Sequence, residues 1–152
     1  MSIERFKLRA VVYMILQNEQ GKYFFLRRQN TGYMDGKLNL PSGYLERGET
    51  LVDGARREAR QEAGVDIAAE DVRYLMTLHR YQDSGEYDYI DVFFMTSSWV
   101  GEAHSAEHEL ASETVWATLD EVKNELVPYI SEALGRIEDN QMFFEMPRGE
   151  NE

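Results

Sequence analysis

The chain contains no cysteine, which excludes disulfides, thiolate zinc sites and a cysteine nucleophile, and which suits a reducing compartment. It has 3 histidines; His79, His104 and His108 show no metal-ligand spacing and are read as structural or surface residues, so zinc is not implied. No uninterrupted apolar run approaches the ~20 residues that a membrane span needs, and the first residues, MSIERFKLRA, carry charge too early for a secretory leader. A soluble, cytoplasmic protein with no membrane partner is expected. Positive charge is also short: 16 Lys and Arg face 28 Asp and Glu, for a net charge of -12. Such a chain repels a phosphate backbone, which argues against duplex nucleic acid as a partner. It can still take a phosphorylated small molecule if a divalent cation sits between its carboxylates and the phosphates.

What is present fits one folded domain spanning 1–152. The length of 152 residues, with 43% hydrophobic and 29% charged residues, supports one core. Phe6 to Leu16 and Lys22 to Arg28 read as strands around the turn residues Asn18-Glu19-Gln20-Gly21, a predicted hairpin. Gln29 to Lys37 has the composition of a structured loop, and Leu38 to Pro41 is a short extended piece. Val72 to Tyr81 and Tyr87 to Trp99 are predicted to pair antiparallel around Asp83-Ser84-Gly85, with Ile90, Val92 and Phe94 on one face. Gly101 to Ser112 is polar and acidic, Glu113 to Ala117 reads as a strand, and Leu119 to Asn124 and Pro128 to Glu138 read as helices. The tail from about Asp139 carries few signals and is expected to be flexible. The mixed order of strands and helices argues for helices packed on a mixed sheet.

The chemistry concentrates between Gly43 and Val65. Thr50 and Asp53 have the form of a capping box, and Gly64 offers the left-handed residue that closes a helix, predicting a span near Leu51 to Ala63. Glu58 and Glu62, four residues apart, lie about 40° apart on one helix face, where they can converge on one cation. Ala55, Ala59 and Ala63 repeat at the same spacing and form a small-residue packing side with Leu51 and Val52. Ahead of the helix, Leu40-Pro41-Ser42-Gly43 brings in a loop where glycine permits close approach of a ligand and a backbone carbonyl could add an oxygen. Glu49 is placed to pair with Arg57 and tie this loop to the helix. A solvated surface helix, for which RREARQE is a common pattern, is the alternative reading.

The segment GYLERGETLVDGARREARQEAGV, preceded by LPSG, resembles the Nudix box: a glycine, five residues, Glu, seven residues, then R-E-hydrophobic-x-E-E-x-G-hydrophobic. The resemblance implies an α/β/α sandwich with a mixed sheet and hydrolysis of a nucleoside diphosphate derivative. It implies Mg2+, or Mn2+, held by Glu58, Glu62 and the Ser42 carbonyl. It also implies catalytic roles for Glu58 and Glu62 with Glu49 and Arg57 orienting, and homodimers as a recurrent assembly. One departure stands out: the family's paired glutamates appear as Gln61-Glu62, so a charge is missing, although the Gln61 oxygen could still coordinate. Related enzymes add a carboxylate from a downstream loop, for which Glu107 and Glu109 are the candidates, an exposed charged loop being the alternative.

Arg28 matches a position that contacts phosphate in related enzymes, with a surface arginine closing a strand as the alternative. Tyr33, Tyr44, Tyr89 and Phe93 are the aromatics that could stack on a base or serve the core. Asp91 could accept hydrogen bonds from a base or face solvent. The leading function is cleavage of a nucleoside triphosphate to monophosphate and pyrophosphate. ADP-ribose, nucleotide-sugar or dinucleotide pyrophosphatase activity stays open, as do a weakened nucleotide sensor marked by Gln61 and an interaction protein using its acidic surface.

Overall fold

A computed structural model of the chain describes residues 3–83, 85 and 87–149. In chain order its elements are β1 (Lys7–Leu16), β2 (Tyr23–Arg28), β3 (Leu38–Asn39), β4 (Ser42–Tyr44) and α1 (Leu51–Ala63). These are followed by a short 3-10 turn (Ala69–Asp71), β5 (Arg73–Tyr81), β6 (Tyr87–Thr96), β7 (Ala111–Ala117), α2 (Leu119–Val122), α3 (Pro128–Glu138) and β8 (Phe143–Pro147). The strands form a five-stranded sheet, β4-β1-β6-β5-β8, and a three-stranded sheet, β3-β2-β7.

The larger sheet is mixed: β1 runs parallel to β6, with Lys7 opposite Tyr87 and Leu16 opposite Thr96, and antiparallel to β4. The predicted β5–β6 pair forms and is antiparallel; Ser84 of its expected turn lies outside the described residues. Alternation along β1 sets the layers, because successive side chains point to opposite faces. Val12, Met14 and Leu16 join Val92, Phe94 and the α1 residues Ala55, Ala59 and Ala63 on one side. Val11, Tyr13 and Ile15 join Phe93 and the α3 residues Tyr129, Ile130, Ala133 and Leu134 on the other. The result is a mixed α+β fold with helices on both faces of the large sheet.

Two expectations are corrected. The predicted β1–β2 hairpin does not form a ladder: the strands belong to different sheets, and at the turn between them the Gln17–Tyr23 bridge and the bond from the Asn18 N–H to the Lys22 carbonyl are not continued along the strands. The reason lies in burial. Tyr23 to Leu26 are buried in succession, and a strand covered on both sides pairs where two cores meet, here with β3 and β7. The tail expected to be flexible instead supplies β8, which pairs parallel to β5 from Thr77–Phe143 to Tyr81–Pro147 and buries Phe144 at 6% exposure.

Candidate active site

The α1 helix is started by Thr50, whose hydroxyl accepts from the Asp53 N–H at 3.1 Å, and is ended by Gly64 at φ 70°. The expected capping box closes on one side only, because the Asp53 carboxylate accepts from Arg56 Nη1 at 2.8 Å. The alanines are fully buried, so the helix lies close on the sheet and its glutamates turn toward β4. Glu58 sits directly over Gly43: a Cβ on that residue would lie 2.1 Å from Glu58 Oε1. Glu62 Oε2 accepts from the Ser42 N–H at 3.1 Å.

Arg57 locks this arrangement. Its Nε and Nη2 donate to Glu49 Oε2 and Oε1 at 3.0 and 2.8 Å, its Nη2 also reaches the Tyr44 carbonyl at 3.1 Å, and its Nη1 donates to Glu58 Oε1 at 2.6 Å. One planar guanidinium thus joins the loop, the helix and a carboxylate, which a point-charge lysine could not do. The hydrogen bonds from Arg57 hold the Glu49 carboxyl below its usual range.

Burial pushes the Glu62 pKa up to about 8, with repulsion from Glu58 and Glu107 added. Burial likewise raises Glu58, against the lowering effect of Arg57. Carboxylates that are buried together and repel one another are relieved by a proton or by a cation. The donor set of Glu58, Glu62 and the Ser42–Gly43 backbone is all oxygen, which fits a hard divalent ion such as Mg2+ or Mn2+. Among the described residues, no three His, Asp or Glu side chains converge closely enough to enclose an ion by themselves.

Two recesses open beside these glutamates. The smaller, of about 120 Å³, is lined by Leu26, Arg28, Thr31, Asn39, Leu40, Ser42, Glu62, Glu107, Leu110 and Ala111. The larger, of about 370 Å³, is lined by Val11, Tyr13, Arg28, Tyr33, Asn39, Ser42, Gly43, Tyr44, Arg80, Tyr89 and Tyr129. Arg28, Asn39 and Ser42 belong to both, so a carboxylate end and a tyrosine end share one wall. At the tyrosine end, Tyr44 and Tyr89 lie at 6.3 Å with rings 26° apart. The Arg80 guanidinium lies over the Tyr89 ring at 4.4 Å and over the Tyr129 ring at 3.9 Å.

The structure thus gathers Glu49, Arg57, Glu58, Glu62, Ser42 and Glu107 at one end, with Arg28, Tyr33, Tyr44 and Tyr89 beside them. Four expected positions lie apart. Gln61 is exposed and its Oε1 accepts from Arg57 Nη1 at 3.3 Å, because position 61 turns about 100° away from 62 on the helix. Glu109 is exposed and absent from both recess walls, and its carbonyl accepts from Asn30 Nδ2 at 3.0 Å. Asp91 is fully buried and forms a two-bond ion pair with Arg80, so it faces neither solvent nor a base. Phe93 is fully buried too and stacks on Tyr13 at 4.4 Å.

Asn39, Tyr13, Arg80 and Tyr129 were missed. Asn39 is 6% exposed, its Oδ1 accepts from the Leu40 N–H at 2.8 Å, and it lines both recesses. One available signal was the opposite charge of Arg80 and Asp91 on two strands expected to pair. Nothing in the sequence pointed to Tyr129, which enters from α3.

The NUDIX domain family model matches residues 7–136. Over 51 residues, 34% of this chain and 40% of the relative, the chain is 37% identical to the 8-oxo-dGTP diphosphatase of Escherichia coli K12; the match spans about two fifths of that relative's length. A MutT NUDIX hydrolase from Burkholderia pseudomallei has a similar fold, with TM-score 0.74 and 17% identity over 85% of this chain and 97% of that one. A MutT protein from Methanosarcina mazei Go1 gives 0.73 and 23% over 91% and 97%. The NUDIX domain of Shewanella oneidensis NrtR, solved with ADP ribose, gives 0.69 and 14% over 88% and 87%.

Proposed function

The chain belongs to the NUDIX domain family, and on that footing we propose that it is a divalent-metal-dependent pyrophosphohydrolase acting on a nucleoside diphosphate linked to another group. The leading substrate is a nucleoside triphosphate, cut to the monophosphate and pyrophosphate. The observation that carries this reading is the shared wall of Arg28, Asn39 and Ser42 between a carboxylate recess and a tyrosine recess. A molecule with phosphates at one end and a flat ring at the other matches that division.

Glu58, Glu62 and the Ser42–Gly43 backbone would hold the metal, with Glu107 on the facing wall. A bound Mg2+ or Mn2+ supplies the positive charge that neutralises phosphate oxygens and lowers the pKa of an attacking water. Glu58 and Glu62 are the groups placed to accept that water's proton. Glu49 and Arg57 keep Glu58 oriented, Arg28 contacts phosphate, and Tyr33, Tyr44 and Tyr89 border the ring. The 8-oxo-dGTP diphosphatase relative favours a triphosphate. ADP-ribose is the competing substrate, since a neighbour of the same fold was solved with it.

The test is incubation of the purified protein with Mg2+ and a panel of canonical and oxidised nucleoside triphosphates, ADP-ribose and dinucleotides. Release of pyrophosphate from a triphosphate is expected. Tight binding of one compound with turnover of none would replace the reading with a nucleotide sensor.

A further inference from the structure

The loop between β2 and β3 does more than connect them. Four of its residues have left-handed backbones: Asn30 (φ 55°), Gly32 (φ 79°), Met34 (φ 49°) and Gly36 (φ 90°). Two of these are not glycine, and such conformations persist where surrounding contacts over-determine them. Asn30 donates through its Nδ2 to the Glu109 carbonyl at 3.0 Å, and the Met34 carbonyl accepts from the Lys37 N–H at 3.1 Å. Within the same loop the Asp35 carboxylate accepts from the Thr31 N–H and the Gly32 N–H, each at 3.1 Å, and from the Thr31 hydroxyl.

Thr31 then faces Arg28. Arg28 Nη2 donates to Thr31 Oγ1 at 3.0 Å, and Arg28 Nε donates to the Tyr33 carbonyl at 2.7 Å. A hydroxyl has one hydrogen. The Thr31 hydroxyl has two acceptors within reach, the Tyr33 carbonyl at 2.9 Å and the Asp35 carboxylate. The Thr31 hydroxyl holds the Asp35 carboxyl below its usual range, so at neutral pH that group is ionised and, as the stronger acceptor, takes the hydrogen. The Thr31 oxygen is left as an acceptor for Arg28. The remaining guanidinium nitrogen, Nη1, has no hydrogen-bond partner among the described residues, and Arg28 lines both recesses.

We infer that Asp35 is a positioning residue that acts through Thr31 to aim Arg28 Nη1 at a phosphate of the substrate. The relay has a physical advantage over a direct ion pair. A carboxylate against Arg28 would repel the phosphates and compete for the guanidinium, whereas a neutral hydroxyl fixes the fork and leaves its charge for the ligand. The inference rests on the reading of Arg28 as a phosphate contact.

The experiment measures kcat and KM for the best triphosphate, and the inhibition constant of pyrophosphate, in the wild type, Arg28→Ala, Thr31→Val, Thr31→Ser, Asp35→Ala and the Arg28→Ala/Asp35→Ala double variant. Asp35→Ala and Thr31→Val are expected to weaken pyrophosphate inhibition and raise KM by about tenfold, the equivalent of one charge-assisted hydrogen bond, while Thr31→Ser stays near the wild type. The double variant is expected to be no worse than Arg28→Ala alone. Additive losses, or wild-type constants in Asp35→Ala, would overturn the inference and leave the Arg28 reading standing. Wild-type constants in Arg28→Ala would sink that reading and the inference with it. If Asp35→Ala does not fold, Thr31→Val, which removes the relaying hydroxyl and leaves Asp35 in place, carries the same comparison through the Arg28→Ala/Thr31→Val double variant.

Discussion

Gly43 and Glu62 show how single positions set the chemistry. The Glu58 carboxylate occupies the space a side chain at 43 would need, since a Cβ there falls 2.1 Å from Oε1. Gly43→Ala is therefore expected to push Glu58 off its position and lower kcat by about a hundredfold, the cost of misplacing a reacting group by about an ångström. Circular dichroism should show the fold intact while kcat falls. Glu62 has a folded-state pKa of about 8 against an ordinary 4.5, so across that interval the folded protein holds a proton the unfolded chain releases. Stability is then lost as pH rises through the interval. With metal removed by chelator, Glu62→Gln should match the wild-type Tm near pH 5 and exceed it by several degrees at pH 8.5, as a thermal melt would show. In the presence of Mg2+ the same variant should lose at least about a hundredfold in turnover, because charge is removed from the metal site and shape is kept. Most of this end of the site was legible, because Gly43, Glu49, Arg57, Glu58 and Glu62 lie within one short segment with fixed helical spacing. The contact of Gln61 with Arg57 was not legible, because spacing says which residues neighbour each other and not which of them a guanidinium will claim.

At the scale of elements, α1 was readable to its ends: Thr50 and Gly64 mark the caps, and the Leu51–Ala63 span follows. Its alanine face also sets its distance from the sheet. Ala55, Ala59 and Ala63 are each 0% exposed, so Ala59→Leu adds volume where none is free and should cost about 1–3 kcal/mol, measured by urea denaturation. Strand partners were less legible. The turn after β1 looked like a hairpin turn, and a local signal cannot report that the buried run of β2 belongs to a second sheet. The β8 strand was hidden for a related reason: only Phe144 within it is buried, and in the run Phe143-Phe144-Glu145-Met146-Pro147 apolar and polar residues do not alternate, so there is no period-2 signal to detect. The bulge between Leu26 and Arg28, where β2 slips against β7, was equally invisible, although it lies at the residue that joins both recesses.

The molecule as a whole is tied together beneath the tyrosine recess. Arg80 and Asp91, 3% and 0% exposed, link β5 to β6, and Tyr13 of β1 bonds to both Asp91 and Tyr129 of α3, at 3.4 and 2.7 Å. Asp91→Ala removes the acceptor of two bonds from the buried Arg80 guanidinium and should cost about 3–5 kcal/mol in chemical denaturation. The joint replacement Arg80→Met/Asp91→Leu should cost much less, since no lone charge remains. The order of the large sheet carries a different consequence, one of time. Its two parallel pairings are between distant stretches: Lys7 waits for Tyr87, and Thr77 waits for Phe143. Parallel pairing between such remote segments is slow, because the intervening chain must be gathered first. During synthesis β5 therefore stands with a bare edge until Phe143–Pro147 emerges from the ribosome, and for that interval the nascent chain offers neighbouring chains a template for aggregation.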